Sequence, residues 1–408
     1  MNFNPFRPNS IATDELFQGR RDEMLFIERS LFQTKNGNPQ HFLIEGERGL
    51  GKSSFFLKVA QQAKGEKEIG QKIFVNFIVL NIELDSNQSF FEIIRALSSE
   101  FKNAISEKEK IKNLAKSVWD FLSSWEILGV KYHKVDEQKI QPYEVLNDLV
   151  NSFSNLISQA KDEIDGIVVL FDEADRPSTQ ASLGEIIKLL TEKLTKKGCD
   201  KVLIGLTGQP GLVAKLKASH ESASRIFTVL TLNPLSEEEN QLVVTSGLTI
   251  ANRVNVEKTR IDKEAINLIS ELSEGYPHFL QEFAFMAFES DEDNVITVED
   301  VRKGAYGEKG ALNQLGEKYF HDLYFTQIAS DEYRKVLQAM SNFSDTWVNR
   351  ENIKSIITIK ETTLNNALQA LKTRGIILSH PTQQGSFKIP TKSFAAWIKA
   401  YYKLEEKI

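Results

Sequence analysis

The sequence predicts a doubly wound α/β domain built around a phosphate-binding loop, then a helical lid and a C-terminal winged helix-turn-helix. Three observations carry that prediction. The apolar run His41-Phe42-Leu43-Ile44-Glu45 feeds directly into GERGLGKS, Gly46 to Ser53. A second run, Ile167-Val168-Val169-Leu170-Phe171, is apolar at every position and ends in Asp172-Glu173-Ala174-Asp175. Beyond Pro234 the strand-and-helix alternation gives way to helical periodicity alone.

Taken in order, residues 1–40 read as an irregular arm and then a helix from about Arg20 to Phe32. Phe42 to Ile44 opens the first strand, and Ser53 to Gln62 is the helix that follows the loop. Ile73 to Glu83 is β-rich, and Ser89 caps a helix running to about Ile105. Glu107 to Gln141 is charged, and its WEILGVKYHKV stretch fits a hairpin or a helical insertion. Pro142 to Lys161 is helix-periodic. Continuous apolar runs such as 167–171 and Val202 to Thr207 suit central parallel strands covered on both faces, with a helix at Leu183 to Thr195 between them. Phe227 to Leu232 completes the set, and the alternation defines the α/β class.

After Pro234, Ser236 followed by Glu239 is a capping box opening a helix. Further helices are expected at Asp262 to Glu274, Pro277 to Ser290, Thr297 to Ala305 and Leu312 to Ala329. Tyr333 to Met340, Arg350 to Ile356 and Glu361 to Thr373 then give three short helices. Gly375 to Ser379 and Ser386 to Ile389 frame the turn-rich PTQQG as a hairpin, and three helices plus a hairpin make a winged helix. The expected domains are 1–234 (nucleotide-binding), 235–310 (lid), 311–330 (connecting helix) and 331–408 (winged helix).

GERGLGKS has the spacing a phosphate cradle needs. Glycines let the backbone amides of Gly46, Glu47, Arg48, Gly49, Leu50 and Gly51 curl around an anion, and the next helix adds its positive end at Lys52, Ser53 and Ser54. Lys52 is expected to reach the β- and γ-phosphates of ATP, and Ser53 to hold Mg²⁺. Asp172, at the carboxyl end of a central strand, is the second Mg²⁺ ligand, and Glu173 the group that polarises an attacking water. A strand-end acidic pair also serves as a helix cap or a solvated turn elsewhere.

Composition bounds the function. With 408 residues, 41% hydrophobic and 26% charged, the chain can bury two or three cores. No apolar stretch reaches a membrane span, and Met1 to Ser10 lacks the apolar core of a leader. A single cysteine, Cys199, excludes an internal disulfide and a cysteine-rich metal site, so a cytoplasmic setting is expected. The net charge of −6 argues against wholesale nucleic-acid binding, yet residues 331–408 hold 12 Lys/Arg against 7 Asp/Glu.

FQGRRDE at 17–23, GERGLGKS, VVLFDEAD, VLIGLTGQPGL at 202–212, SRIFTVLTLNPLSEEE at 224–239 and EGYPHFLQ at 274–281 form an ordered series. Together they resemble AAA+-type ATPases of the initiator clade, and more narrowly the prokaryotic group related to origin-recognition proteins and STAND switches. The resemblance spans nearly the whole chain. It implies that Phe17, Gly19 and Arg20 line the adenine pocket and that Thr207 or Gln209 is the polar sensor, where many relatives carry Asn. It places Arg225 at the arginine-finger position, although an Arg before an apolar strand equally serves in a structural ion pair. Pro277 and His278 match the lid motif, with His278 toward the β-phosphate.

In the expected recognition helix, Leu364, Ala367, Leu368 and Leu371 face the core and leave Lys360, Thr362, Thr363, Asn366, Gln369 and Lys372 polar. Such a face can meet duplex DNA within residues 360–390, and is also what any soluble helix presents. The sequence therefore predicts an ATP-hydrolysing switch coupled to a partner protein or to DNA. The alternatives are an ATP-regulated DNA-binding protein and a scaffold that assembles into homo-oligomers on ATP without DNA.

Overall fold

The computed structural model describes residues 2–405 apart from 12, 14, 71, 115–117, 119–141, 329, 344–345 and 381–382. The hairpin-or-insertion expectation for WEILGVKYHKV lies outside the described residues. The chain divides into two compact units, residues 20–233 and residues 1–19 with 234–408.

The 20–233 unit begins with α1 (Arg21–Lys35), β1 (Phe42–Glu45) and α2 (Lys52–Ala63). It continues through β2 (Phe77–Glu83), α3 (Phe90–Ser106), α4 (Glu109–Leu114) and α5 (Pro142–Gln159). Then come β3 (Gly166–Asp172), α6 (Leu183–Lys196), β4 (Val202–Gly208), α7 (Leu212–Ser219) and β5 (Thr228–Thr231). The five strands form one parallel sheet in the order β2-β3-β4-β1-β5. Alternate residues share a face. Leu43, Ile78, Leu80, Ile167, Val169, Phe171, Ile204 and Leu206 join one core with α3, α5, α6 and α7. Their neighbours Phe42, Ile44, Val168, Leu170 and Leu203 are equally buried on the opposite face, where Phe42 meets Phe56 of α2 edge-on at 6.2 Å. Both faces are covered, which is why these strands read as unbroken apolar runs. The β-rich stretch at 73–83 yields a strand only from Phe77, because Ile73 pairs back on Ile69.

The second unit holds α8 (Glu237–Val254), β6 (Arg260–Ile261), α9 (Lys263–Ser273), α10 (Pro277–Ser290), β7 (Val295–Ile296) and α11 (Val298–Tyr306). The Ser236 capping box is formed: Glu239 N–H donates to Ser236 Oγ at 3.2 Å and Ser236 N–H to Glu239 Oε2 at 2.8 Å. The expected joining helix is α12 (Ala311–Leu315), which runs into two π-helical turns, Gly316–Phe320 and Asp322–Thr326. α13 (Asp331–Ser341), α14 (Arg350–Ile356), α15 (Glu361–Thr373), the antiparallel β8 (Leu378–Ser379) and β9 (Phe387–Lys388), and α16 (Lys392–Glu405) follow. One hydrophobic core runs from Phe6 through α8 to α11 and on to Ile398, so the helices on either side of α12 share their interior.

Residues 1–19 pack with the helical unit. Phe6 is 3% exposed and fills the space left by Gly247, where a Cβ would come within 2.5 Å of its ring. Asn255 clamps the arm, accepting Phe3 N–H at 2.7 Å and donating to Phe3 O at 3.0 Å. Nothing local in the sequence signals these contacts, which join positions some 250 residues apart. Among the described residues no helix is long and apolar enough to cross a membrane.

Candidate active site

β1 ends at Glu45, whose carboxylate accepts Gly211 N–H at 3.1 Å and Val213 N–H at 3.0 Å. The next residue, Gly46, donates its N–H to Gly208 O at 3.2 Å. The start of the loop is thereby tied to the turn after β4. Gly49 and Gly51 have φ of 90° and 83°, a left-handed conformation that costs glycine little. The first helical hydrogen bond of α2 runs from Phe55 N–H to Gly51 O at 2.9 Å, so the amides of Lys52, Ser53 and Ser54 precede the ladder. Leu50 anchors the loop from below at 3% exposure, and the buried Arg20 reaches its carbonyl at 3.4 Å. Glu47, Arg48 and Ser53 are exposed.

Lys52 Nζ folds over the loop, donating to Gly46 O at 2.7 Å and Glu47 O at 2.9 Å. Burial pushes its ammonium below the usual lysine value, against the opposing pull of Asp175, Asp172, Glu173 and Glu47. The loop's cation thus faces the acidic end of β3.

β4 lies between β1 and β3, with Thr207 beside Ile44 in register. Thr207 is fully buried, and its hydroxyl donates to Asp172 Oδ1 in a short hydrogen bond. Glu173 N–H donates to the same carboxylate oxygen at 2.9 Å. Glu173 is left-handed, with φ of 56°, and its carboxylate meets Arg176 Nη1 at 2.6 Å. Burial raises the Glu173 pKa; Arg176 opposes the rise, and the nearby Asp172, Glu83 and Asp175 add to it. Asp175 Oδ1 accepts Gln209 N–H at 3.0 Å. Of the two sensor candidates, Thr207 touches the acidic strand end through its side chain and Gln209 through its backbone.

Arg225 is exposed in the 3₁₀ turn Ala223–Ile226, and among the described residues no side chain pairs with it. Phe17, Gly19, Pro277 and His278 belong to the other compact unit. There Pro277 opens α10, and the His278 ring lies 5.2 Å from Tyr319. Gly275, two residues earlier, has φ of 76° and would bring a Cβ within 2.4 Å of Leu235 O.

Three contributors escaped the sequence reading: Glu45, Asp175 and Arg176. Arg176 carried a signal, its i+3 spacing from Glu173; Glu45 and Asp175 act on backbone amides that only the folded sheet brings near. For a divalent cation, Ser53 and Asp172 are hard oxygen donors of the kind Mg²⁺ takes. Among the described residues no group of three His, Cys, Asp or Glu side chains could hold a metal. Few protein ligands, with phosphates and water completing the shell, is how Mg²⁺ sits at nucleotide sites, so the residues fit that ion.

Residues 16–196 match the family model described as AAA ATPase domain. No curated protein matches the chain. Among solved structures, the Walker-type ATPase PABY2304 of Pyrococcus abyssi covers 94% of this chain and 98% of its own, at 19% identity and a TM-score of 0.52. The ORC2 protein of Aeropyrum pernix, solved as ADPNP–ADP complexes, covers 99% and 98% at 13% identity with a TM-score of 0.58. At such identities the likeness is one of fold, and it extends over nearly the whole length. The loop after β1 and the acidic end of β3 both fall within residues 16–196, the stretch that is similar to the AAA ATPase domain family.

Proposed function

We propose that this chain is an ATP-hydrolysing switch whose C-terminal residues 331–408 form a winged helix that passes the nucleotide state to a partner protein. The observation that carries the reading is the Thr207–Asp172–Glu173 constellation, set one strand away from the loop that holds Lys52. The loop amides and Lys52 grip the phosphates of ATP, with Lys52 exchanging the Gly46 and Glu47 carbonyls for phosphate oxygens. Ser53 and Asp172 hold Mg²⁺, which when bound offsets phosphate charge. Glu173 accepts a proton from a water whose oxygen attacks the γ-phosphorus; the bond to the ADP oxygen breaks, leaving ADP and phosphate. Thr207 fixes Asp172 throughout. Arg225, exposed, would act on a neighbouring copy's site in an ATP-dependent homo-oligomer.

A DNA-binding reading draws on α15. Leu364, Ala367, Leu368 and Leu371 are buried, and Lys360, Thr362, Asn366, Gln369 and Lys372 are exposed on the polar side. A cytoplasmic setting suits Cys199, whose thiol burial pushes up to about 11 and leaves unreactive.

The test is the ATPase rate and particle size of wild type and Glu173→Gln, with and without duplex DNA. Glu173→Gln should bind ATP without turning it over, and Lys52→Ala should lose ATP binding. Normal turnover in Glu173→Gln would sink the role given to Glu173. Stimulation by DNA, falling steeply with salt, favours the DNA-binding reading; indifference favours the protein switch.

A further inference from the structure

The turn after β3 carries a cation that the proposed chemistry does not use. Arg176 lies three residues beyond Glu173, and its guanidinium is 2.6 Å from Glu173 Oε2. Arg176 N–H also donates to Glu173 O at 2.9 Å, closing the turn that bears both side chains. The Glu173 main chain is pinned as well, left-handed and bonded through its N–H to Asp172 Oδ1. Only side-chain torsions are then free to aim its carboxylate.

The charged groups around that carboxylate are of two kinds. Asp172 and Asp175 on the same segment, and Glu83 at the end of β2, repel it. Lys52, at the start of α2, attracts it from a distance while bonded to Gly46 O and Glu47 O. Arg176 is the cation in direct contact.

We propose that Arg176 is a positioning residue that restrains hydrolysis: its ion pair holds the Glu173 carboxylate against its own turn, and only molecules with the pair open are competent. The proposal rests on the reading of Glu173 as the group that polarises water. Arg176 is 48% exposed and Glu173 31%, so the pair is solvent-screened. A screened pair biases a two-state equilibrium by a small factor, which sets the size of the expected effect.

The experiment uses the full chain at saturating Mg²⁺ and ATP. Arg176→Ala should raise kcat about two- to fivefold with the KM for ATP unchanged. Arg176→Lys should retain most of the restraint. Added salt should lift the wild-type kcat toward that of Arg176→Ala, whose own kcat stays level. Equal binding of a non-hydrolysable ATP analogue certifies that each variant is folded; if Arg176→Ala fails that check, Arg176→Gln replaces it. A kcat at or below wild type, or an altered KM, overturns the restraint. Glu173→Gln separates the two failures. If that variant still hydrolyses ATP, the reading of Glu173 fails and the restraint falls with it. If it is inactive while removal of Arg176 leaves kcat unchanged, the restraint alone is wrong.

Discussion

Thr207 and His41 occupy opposite ends of the neighbouring strands β4 and β1, and each buries a polar group whose partner can be named. Thr207→Val keeps the shape and removes the hydroxyl held by Asp172 Oδ1. It should cost about 1–3 kcal/mol in denaturant unfolding and lower kcat more than it raises KM. His41 Nδ1 accepts Ile204 N–H at 3.1 Å, which requires a neutral ring, and burial pulls its pKa down to about 4 from 6.5. The unfolded chain therefore binds the extra proton first. The stability contributed by neutral His41 is complete above pH 6.5 and is lost as pH falls toward 4. Melting temperatures of wild type should drop across that window more steeply than those of His41→Gln, whose amide accepts the same hydrogen bond without titrating. Lys52, Ser53, Asp172 and Glu173 were legible because a motif fixes their spacing. Arg176 and Glu45 were not, since their partners are chosen by side-chain torsion and sheet register.

Among the elements, the helices with capping signals were the easiest to read. Ser89 and Ser236 each close a capping box, and α14 and α15 start and stop where the periodicity placed them. Ser236→Ala should cost about 1 kcal/mol, seen as a lower denaturant midpoint. The π turns after α12 were invisible beforehand, because one extra residue per turn barely disturbs an apolar pattern over ten residues. Gly316 begins them against α16, where a Cβ would fall 1.9 Å from Trp397 Nε1. Gly316→Ala should therefore destabilise by about 1–3 kcal/mol through overpacking, or shift α16, detectable as faster amide exchange across residues 392–405. β6, β7 and α16 were missed as well: two-residue strands carry no periodicity, and the expectation for residues 331–408 holds three helices and a hairpin without a helix at Lys392–Glu405.

At the scale of the whole chain, Pro234 was a readable boundary because the pattern changes character there. The capture of residues 1–19 by the helical unit was not, since nothing local signals a contact 240 residues away. It makes a separable prediction. Phe6→Ala should destabilise the 1–19/234–408 unit by about 3–5 kcal/mol. Amide exchange should quicken in α8 and α10 and stay unchanged in β1 through β5. Equal loosening of both units would show that the arm belongs to neither in particular.

The strand order has a consequence for how the protein is made. β1 pairs with β4 and β5 alone, and those strands end at residues 208 and 231. A ribosome that has delivered the loop at residue 46 must still add more than 150 residues before either flanking strand exists, and long-range parallel pairing is slow even then. Through that stretch of synthesis the chain carries a complete phosphate-binding sequence with no flanking strand to set it on. Competence to hold ATP should arrive abruptly and late, once β5 has cleared the exit tunnel, so a nascent chain halted before residue 200 should have no grip on the nucleotide.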